Sequence, residues 1–440
     1  MKNKILKILG FIALIVITVV YTYRVRYIVD DEIFNYGFAK NIIDGLVPYK
    51  DFNMIIPPLF AYITALVLKI FGQKLIVYHI LTALIIISIS YISSKKIGKS
   101  TFIIYLFLLI YPYTGYNMFA LLLFFILLNL KEDDKKNYYL EPIIISLMIL
   151  TKHTLGLLVI PSLIYSKKRL KTFLVYVISF LILLLYLIIN NNIFEFIDYC
   201  ILGMFSFTSN NGTTSINFLF ILEIIIIVAL IYKLIKYKRK EYFYILVFQI
   251  ITFPIVNYVH FMISFIPVVY LIIKENKKNF YFNWFSGVIA ISFFITFTFM
   301  CTKDIKEYGL EPYKEKNFME GRLVQFVVDD YIDIIEEYVN KYEEYTPYIF
   351  SNLAYQIKLN LDYPITKFDL INDGNMGYKG GEGYIKEFDK YCKKNKCIFF
   401  VNELEIKAEE NHQTNQDILL HVKNNYRKIH ASNMFNIYIN

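Results

Sequence analysis

The chain has 440 residues, 57% hydrophobic and 19% charged, a balance that excludes an ordinary soluble enzyme of this length. Its formal net charge of +9 is unevenly spread: residues 1–300 carry 28 basic and 14 acidic side chains, residues 301–440 carry 18 and 23. The basic excess sits in short loops between apolar runs, as in the cytoplasmic loops of membrane proteins, so the charge does not point to nucleic acid.

In chain order, the first apolar run, 5–23, follows Lys2, Lys4 and Lys7 and has no small-residue cleavage site, so it reads as a retained spanning helix. Other runs long enough to span are 75–94, 172–190, 217–235 and 281–300. Shorter runs at 56–71, 101–113, 115–130, 139–151, 154–166, 242–256 and 261–273 are broken by Pro, Gly or charge, which a bilayer tolerates only inside protein or beside a cavity. Lysine-rich loops at 95–99, 131–136, 167–171, 236–240 and 274–278 are expected on the cytoplasmic face. Alternation then puts the turns near 113–115, 151–153, 190–215 and 257–260 on the other face, together with the tail. That assignment requires one short run, taken as 56–71, to enter without crossing, and gives 11–13 spans.

The expected fold is mostly α: a polytopic transmembrane helical bundle over 1–300, with a first external loop at 24–55, then a small α/β extracytoplasmic domain over 301–440. In the tail the pattern predicts an amphipathic helix near 322–342, a strand at 348–350, a glycine-rich turn at 373–383, a helix near 384–394, a strand at 397–401, a helix near 415–427 and a strand near 434–439. The glycine-rich stretch lacks the GK[ST] of a phosphate loop and the setting of a dinucleotide fingerprint. Cys200, Cys301, Cys392 and Cys397 lack metal-ligand spacing. Cys392 and Cys397 would pair only in an oxidising compartment and are read as free thiols.

The first external loop carries Asp30, Asp31 and Glu32 at the end of the first span. One reading makes Asp30 or Asp31 the cap of a helix starting at Glu32. The other makes one carboxylate, partly desolvated, a general base. Cations at membrane depth form a second group: Lys152 and His153 interrupt one apolar stretch, His260 another, and Arg24 and Arg26 leave the first span on the same side. Carboxylates facing cations at the outer boundary suit an anionic headgroup such as a lipid phosphate. The bland alternative is a snorkelling lysine and histidines that bond between helices. Glu223, in the apolar run 217–235, is a weaker candidate.

On these residues the chain resembles the polyprenyl-phosphate-dependent membrane glycosyltransferases of the GT-C fold, notably the protein O-mannosyltransferases (family 39) and the aminoarabinose transferases. The resemblance rests on one N-terminal span, DDE (30–32), DGLVPYKDF (44–52) and PPLFAYITALVLKIFG (57–72). It implies that Asp31 is the catalytic base beside Glu32, with Asp30 the alternative, and that Tyr49, Asp51, Pro57 and Pro58 belong to the substrate loop. It implies further that Lys152, His153 and His260 line the donor site and hold its phosphate, on the match of KH (152–153) and NYVHFMISFIP (257–267); Arg24 joins them as a phosphate-binding candidate by its position at the end of the first span. Ile56 stands where the aminoarabinose group commonly has Lys, a departure bearing on substrate class. The implied partners are a polyprenyl-phosphate-linked sugar, a cell-envelope acceptor and membrane lipid. No cofactor is implied with certainty; a divalent metal on Asp30, Asp31 and Glu32 is the one candidate, although hard cations usually take more oxygens than this. A transporter or flippase for lipid-linked glycans is the alternative function, and it lacks the inverted repeat that such folds commonly show.

Overall fold

The computed structural model describes residues 2–25, 30–111, 115–130, 137–203, 218–252, 258–307, 310–314, 317–324, 329–351, 353–369, 380–403, 413–432 and 434–440. The chain forms two compact units that interleave in sequence: Met1–Tyr36, Pro57–Leu183 and Thr214–Gln325 make the first, and Gly37–Ile56, Leu184–Thr213 and Phe326–Asn440 the second.

Five segments are long and apolar enough to cross a membrane: Ile8–Val25, Leu75–Ile110, Arg169–Ile189, Phe218–Tyr237 and Phe280–Glu307. They coincide with the five long apolar runs of the sequence. Leu75–Ile110 is interrupted at Gly98, where φ is +61° and the Thr101 hydroxyl donates back to the Ser90 carbonyl at 2.7 Å. The long helices turn apolar side chains such as Leu174, Ile178, Leu181, Leu185, Ile225 and Val228 outward, as lipid requires. Shorter helices, including Leu59–Phe71 and Tyr116–Leu128, bury theirs. Thirteen residues make about 20 Å of helix, short of the roughly 30 Å hydrocarbon core. Lysines of the basic loops pair with acids, Lys240 with Glu141 and Lys274 with Glu241, and Lys233, in the last turns of helix Phe218–Tyr237, pairs with Glu275. The loop 131–136 lies outside the described residues.

The span 24–55, expected as an external loop, contains a helix, Asp30–Ile43. This helix begins at Asp30, so Asp31 sits inside its first turn and does not cap a helix starting at Glu32. The amphipathic helix expected near 322–342 is corrected to Asp329–Lys341; before it Leu323–Val324 (β2) pairs antiparallel with Glu311–Pro312 (β1). Gly321, at φ +74°, permits the reversal between these strands.

The second unit is built on a mixed four-stranded sheet. Its strands are Thr346–Phe350 (β3), Cys397–Val401 (β4), Arg427–Ala431 (β5) and Asn436–Ile439 (β6), in the order β3-β4-β6-β5, with β3 and β4 parallel and the other pairs antiparallel. β4 is buried on both faces, which explains why CIFFV reads as a continuous apolar run. On one face Tyr348, Phe350, Phe399, Val401 and Tyr438 pack against Phe388 of helix Gly380–Cys392 and Ile418 and Val422 of helix Gln413–Asn425. On the other, Phe400 meets Phe435, which meets Tyr331 of helix Asp329–Lys341. Helix Ala354–Asn360 and strand β5 were not foreseen from the sequence, and most of the glycine-rich stretch lies outside the described residues. The Sγ atoms of Cys392 and Cys397 lie 2.8 Å apart, both buried.

Residues from the first loop complete this unit. Gly37 sits so close to Tyr355 and Ile365 that a Cβ would come within 2.9 Å of each. Asn41 bonds Ile365 twice, donating to its carbonyl at 2.7 Å and accepting its N–H at 3.2 Å. Residues 37–56 and the tail therefore belong to one folded unit.

Phe399 is fully buried and touches the rings of Tyr348, Phe350, Phe388 and Tyr426. Phe399→Ala should cost about 3–5 kcal/mol, read as earlier urea-dependent proteolysis of the second unit in the purified full chain. A loss below about 1 kcal/mol would show that the sheet is not the core of this unit.

Candidate active site

Glu32 is 2% exposed and its carboxylate is saturated. Arg322 donates to it through a two-pronged fork, Nε to Oε1 and Nη2 to Oε2, both at 3.0 Å. The third nitrogen, Nη1, donates to the Tyr23 carbonyl at 2.9 Å. His79 Nε2 lies 2.7 Å from Oε1 and its Nδ1 lies 3.0 Å from the Thr22 hydroxyl. A carboxylate that accepts from Arg322 can only accept from His79, so Nε2 carries a proton. Burial alone would raise the Glu32 carboxyl, but the Arg322 charge and the His79 charge and hydrogen bond outweigh it and hold the group well below the usual carboxylate range.

This network joins residues 30–36, the first half of helix Asp30–Ile43, to helix Leu75–Ile97, the end of the first span and the β1–β2 hairpin, all within the first unit. Leu75 N–H donates to the Phe318 carbonyl at 2.8 Å, Tyr23 hydroxyl to that of Glu320 at 2.8 Å, and Tyr36 stacks on Phe318 at 5.0 Å. Neither Arg322 nor His79 was singled out from the sequence. His79 had a signal, an imidazole in an apolar spanning run. Arg322 had none, lying in a stretch assigned to a helix.

Asp31, one residue earlier, is half-buried. Its carbonyl accepts from Asn35 Nδ2 at 2.6 Å, and Asn35 in turn abuts Gly115. At φ +147°, Gly115 could gain a Cβ only by colliding with Asn35 Nδ2 at 2.8 Å and the Tyr78 hydroxyl at 3.1 Å. Gly115 opens helix Tyr116–Leu128, whose Asn117 Oδ1 accepts from Lys152 Nζ at 3.0 Å. The Lys152 ammonium lies 5.9 Å from the centre of the Tyr116 ring and within electrostatic reach of Asp31, His153 and His260. The structure thus brings Asp31, His153 and His260 each within electrostatic reach of Lys152.

The remaining candidates lie elsewhere or serve the backbone. Arg24 is exposed, beside the ring of Tyr23 and close against Gly321. Arg26 lies outside the described residues, as does the side chain of Asp30. Pro57 and Pro58 are buried at the start of helix Leu59–Phe71. Tyr49 and Asp51 belong to the second unit. There Tyr49 is fully buried at φ +69° with its hydroxyl donating to the Ile56 carbonyl at 2.7 Å, and Asp51 accepts from Val47 N–H at 2.8 Å. Glu223 is buried, with neither carboxylate oxygen bonded among the described residues. Among those residues no three His, Cys, Asp or Glu side chains gather to hold a metal. Glu32, the carboxylate such a site would need beside Asp31, is already taken by Arg322 and His79, so this donor set does not fit a hard cation.

No family model and no curated protein matches the sequence. Solved structures do resemble it. ArnT from Cupriavidus metallidurans bound to undecaprenyl phosphate has 11% identity and a TM-score of 0.60, over 98% of this chain and 97% of that one. The apo form gives 0.58 at 11% identity, over 99% and 98%. The Archaeoglobus fulgidus oligosaccharyltransferase in complex with Zn and sulfate gives 0.48 at 13%, over 97% and 72%. The chain is a polytopic, mostly α membrane protein with a small α/β unit. Its fold is the GT-C fold of the lipid-phosphate-dependent membrane glycosyltransferases.

Arg322→Met leaves the Glu32 charge buried without its partner and should cost about 3–5 kcal/mol of stability in detergent. The double change Glu32→Leu with Arg322→Met should regain most of that loss; a single variant as stable as wild type would refute the ion pair. Because the folded value of Glu32 is depressed, its stabilisation is complete above its unfolded value of about 4.3 and is lost as pH falls from there towards the folded value. Glu32→Gln should lack that acid-side fall in melting temperature, a difference absent if Glu32 titrates normally.

Proposed function

We propose that the chain is a membrane glycosyltransferase that moves a sugar from a polyprenyl-phosphate donor to an acceptor hydroxyl or amine on the outer face of the membrane. The observation that carries this reading is the approach of Asp31 to Lys152 in a chain with the GT-C fold. In the proposed reaction Asp31 takes the acceptor proton as the acceptor oxygen or nitrogen bonds the anomeric carbon. The bond from that carbon to the phosphate oxygen breaks, and the electron pair leaves with polyprenyl phosphate. Lys152, with His153 and His260 donating hydrogen bonds, balances the charge that grows on the leaving phosphate. One displacement inverts the anomeric configuration and requires no second carboxylate nucleophile. Asp30 is the alternative base. Glu32, saturated by Arg322 and His79, acts as a positioning residue.

An apolar cavity of about 350 Å³, walled by Phe107, Leu222, Phe261, Phe265, Ile289 and Phe293, supports a prenyl-chain donor; Phe261 follows His260 in sequence. The ArnT structure holds undecaprenyl phosphate, which agrees with a donor of this class. The lysine-rich loops favour the cytoplasmic face, and on that basis the second unit is read as extracytoplasmic.

In lipid nanodiscs, wild type should release or transfer sugar from at least one member of a panel of polyprenyl-phosphate sugars. Asp31→Asn should lower turnover about 100-fold or more, the scale of lost general-base catalysis. Lys152→Met should lower turnover as well, with donor binding weakened. Equal turnover in wild type and Asp31→Asn would move the base to Asp30. No turnover with any donor, alongside translocation of a labelled lipid-linked glycan, would replace the transferase with a flippase.

A further inference from the structure

The second unit carries a cavity of about 570 Å³, within the roughly 300–1,000 Å³ of small-ligand sites. Three separate segments of that unit build it: the turn 46–51, the stretch 364–368, and the end of helix Gly380–Cys392 with residues 394–395. Each contributes lysine: Lys50, Lys367, and the pair Lys390 and Lys394. The two acids on the wall are already engaged. Asp51 accepts the Val47 N–H, and Glu387 pairs with Lys367 at 3.3 Å. Lys50, Lys390 and Lys394 are exposed, and no acid lies within ion-pair distance of them among the described residues. Aromatic rings form the other part of the lining: Phe368, with the Lys367 ammonium 5.4 Å from its centre, and Tyr348 and Tyr391, which meet edge to face.

Lysines at the end of a helix commonly offset its dipole, which accounts for Lys390 and Lys394 taken alone. It does not account for Lys50 and Lys367, which reach the same space from other segments. Of the rings, Tyr348 and Phe368 belong to the core of the unit, and Tyr391, half-buried at its edge, is the one with most surface open to the cavity. Unpaired ammonium groups attract carboxylate or phosphate, and an aromatic face with amide and hydroxyl groups nearby suits the apolar face of a sugar ring. We propose that this cavity binds a stretch of anionic glycan, bearing carboxylate or phosphate, and so recruits the acceptor of the transfer. The recruiting role rests on the transferase reading; the binding does not.

The test uses the full chain in zwitterionic nanodiscs and fluorescence anisotropy of labelled oligomers: a galacturonate hexamer, its neutral methyl ester, a sugar-phosphate oligomer and a sugar-free polyphosphate. At least one anionic glycan should bind and the ester should not. Lys390→Glu with Lys394→Glu should weaken binding roughly tenfold or more, as loss of charge-assisted contacts requires. Tyr391→Ala should weaken the glycans and leave polyphosphate unchanged. Melting temperatures of these surface variants show that they fold. Asp31→Asn should bind as wild type does. Equal binding of the ester, no effect of charge reversal, polyphosphate binding as tightly as the glycans, or failure of both anionic glycans would each overturn the proposal. Intact glycan binding with no transfer from any donor would instead count against the transferase alone.

Discussion

The bond between Glu32 and Arg322 ties together segments of the first unit that lie far apart in sequence. A carboxylate at 2% exposure is stable only because the guanidinium fork and His79 together satisfy both oxygens. The three parts come from positions 32, 79 and 322, so the contact ties the helix after the first span to the third apolar helix and to the last hairpin of the unit. Buried ion pairs are weak evidence of stability, since apolar residues of similar shape often do as well. What such a pair does supply is direction. On a helix, consecutive residues are about 100° apart. Glu32 anchored inward therefore sets the bearing of Asp31, and Asn35 and Gly115 hold the backbone just behind it.

Much of this was legible in the sequence because membranes impose long, unambiguous signals. The five long apolar runs fall in five segments of spanning length, and the lysine-rich loops 167–171, 236–240 and 274–278 lie at the ends of three of them. In the second unit, strand 397–401 emerged at the expected residues because both of its faces are covered and every position is apolar. The DDE triplet and the KH and His260 cations stood out for the same physical reason, the cost of charge at membrane depth.

What was not legible depends on pairing across long separations. Arg322 sits in a stretch rich in charge and amphipathic by pattern, and only its distant partner at position 32 distinguishes it from a surface arginine. The same limit hid β1 and β2, each two residues long, and β5, whose exposed RKIHA reads as polar. The 24–55 segment looked like a loop because its polar residues interrupt any apolar periodicity. Within it Asp30–Ile43 folds as a helix, one half burying Glu32 and the other giving Asn41 to the tail.

The backbone itself marks where the charged group lies. Helix Asn137–Thr151 stops, Lys152 takes extended angles of φ −149° and ψ 104°, and a tight 3₁₀ turn starts at His153. The break is satisfied locally, with Lys152 N–H donating to Met148 and Leu155 N–H donating to Lys152. A regular helix would carry residue 152 round in register with its neighbours. The break frees it to reach Asn117 and to come near Asp31. Gly115 performs a similar change of course immediately before the helix that carries Asn117. Irregular backbone at membrane depth persists only inside protein or beside a cavity. Two such breaks converge on one lysine, where an unbroken helix would pack at lower cost, and both fit the site proposed for it.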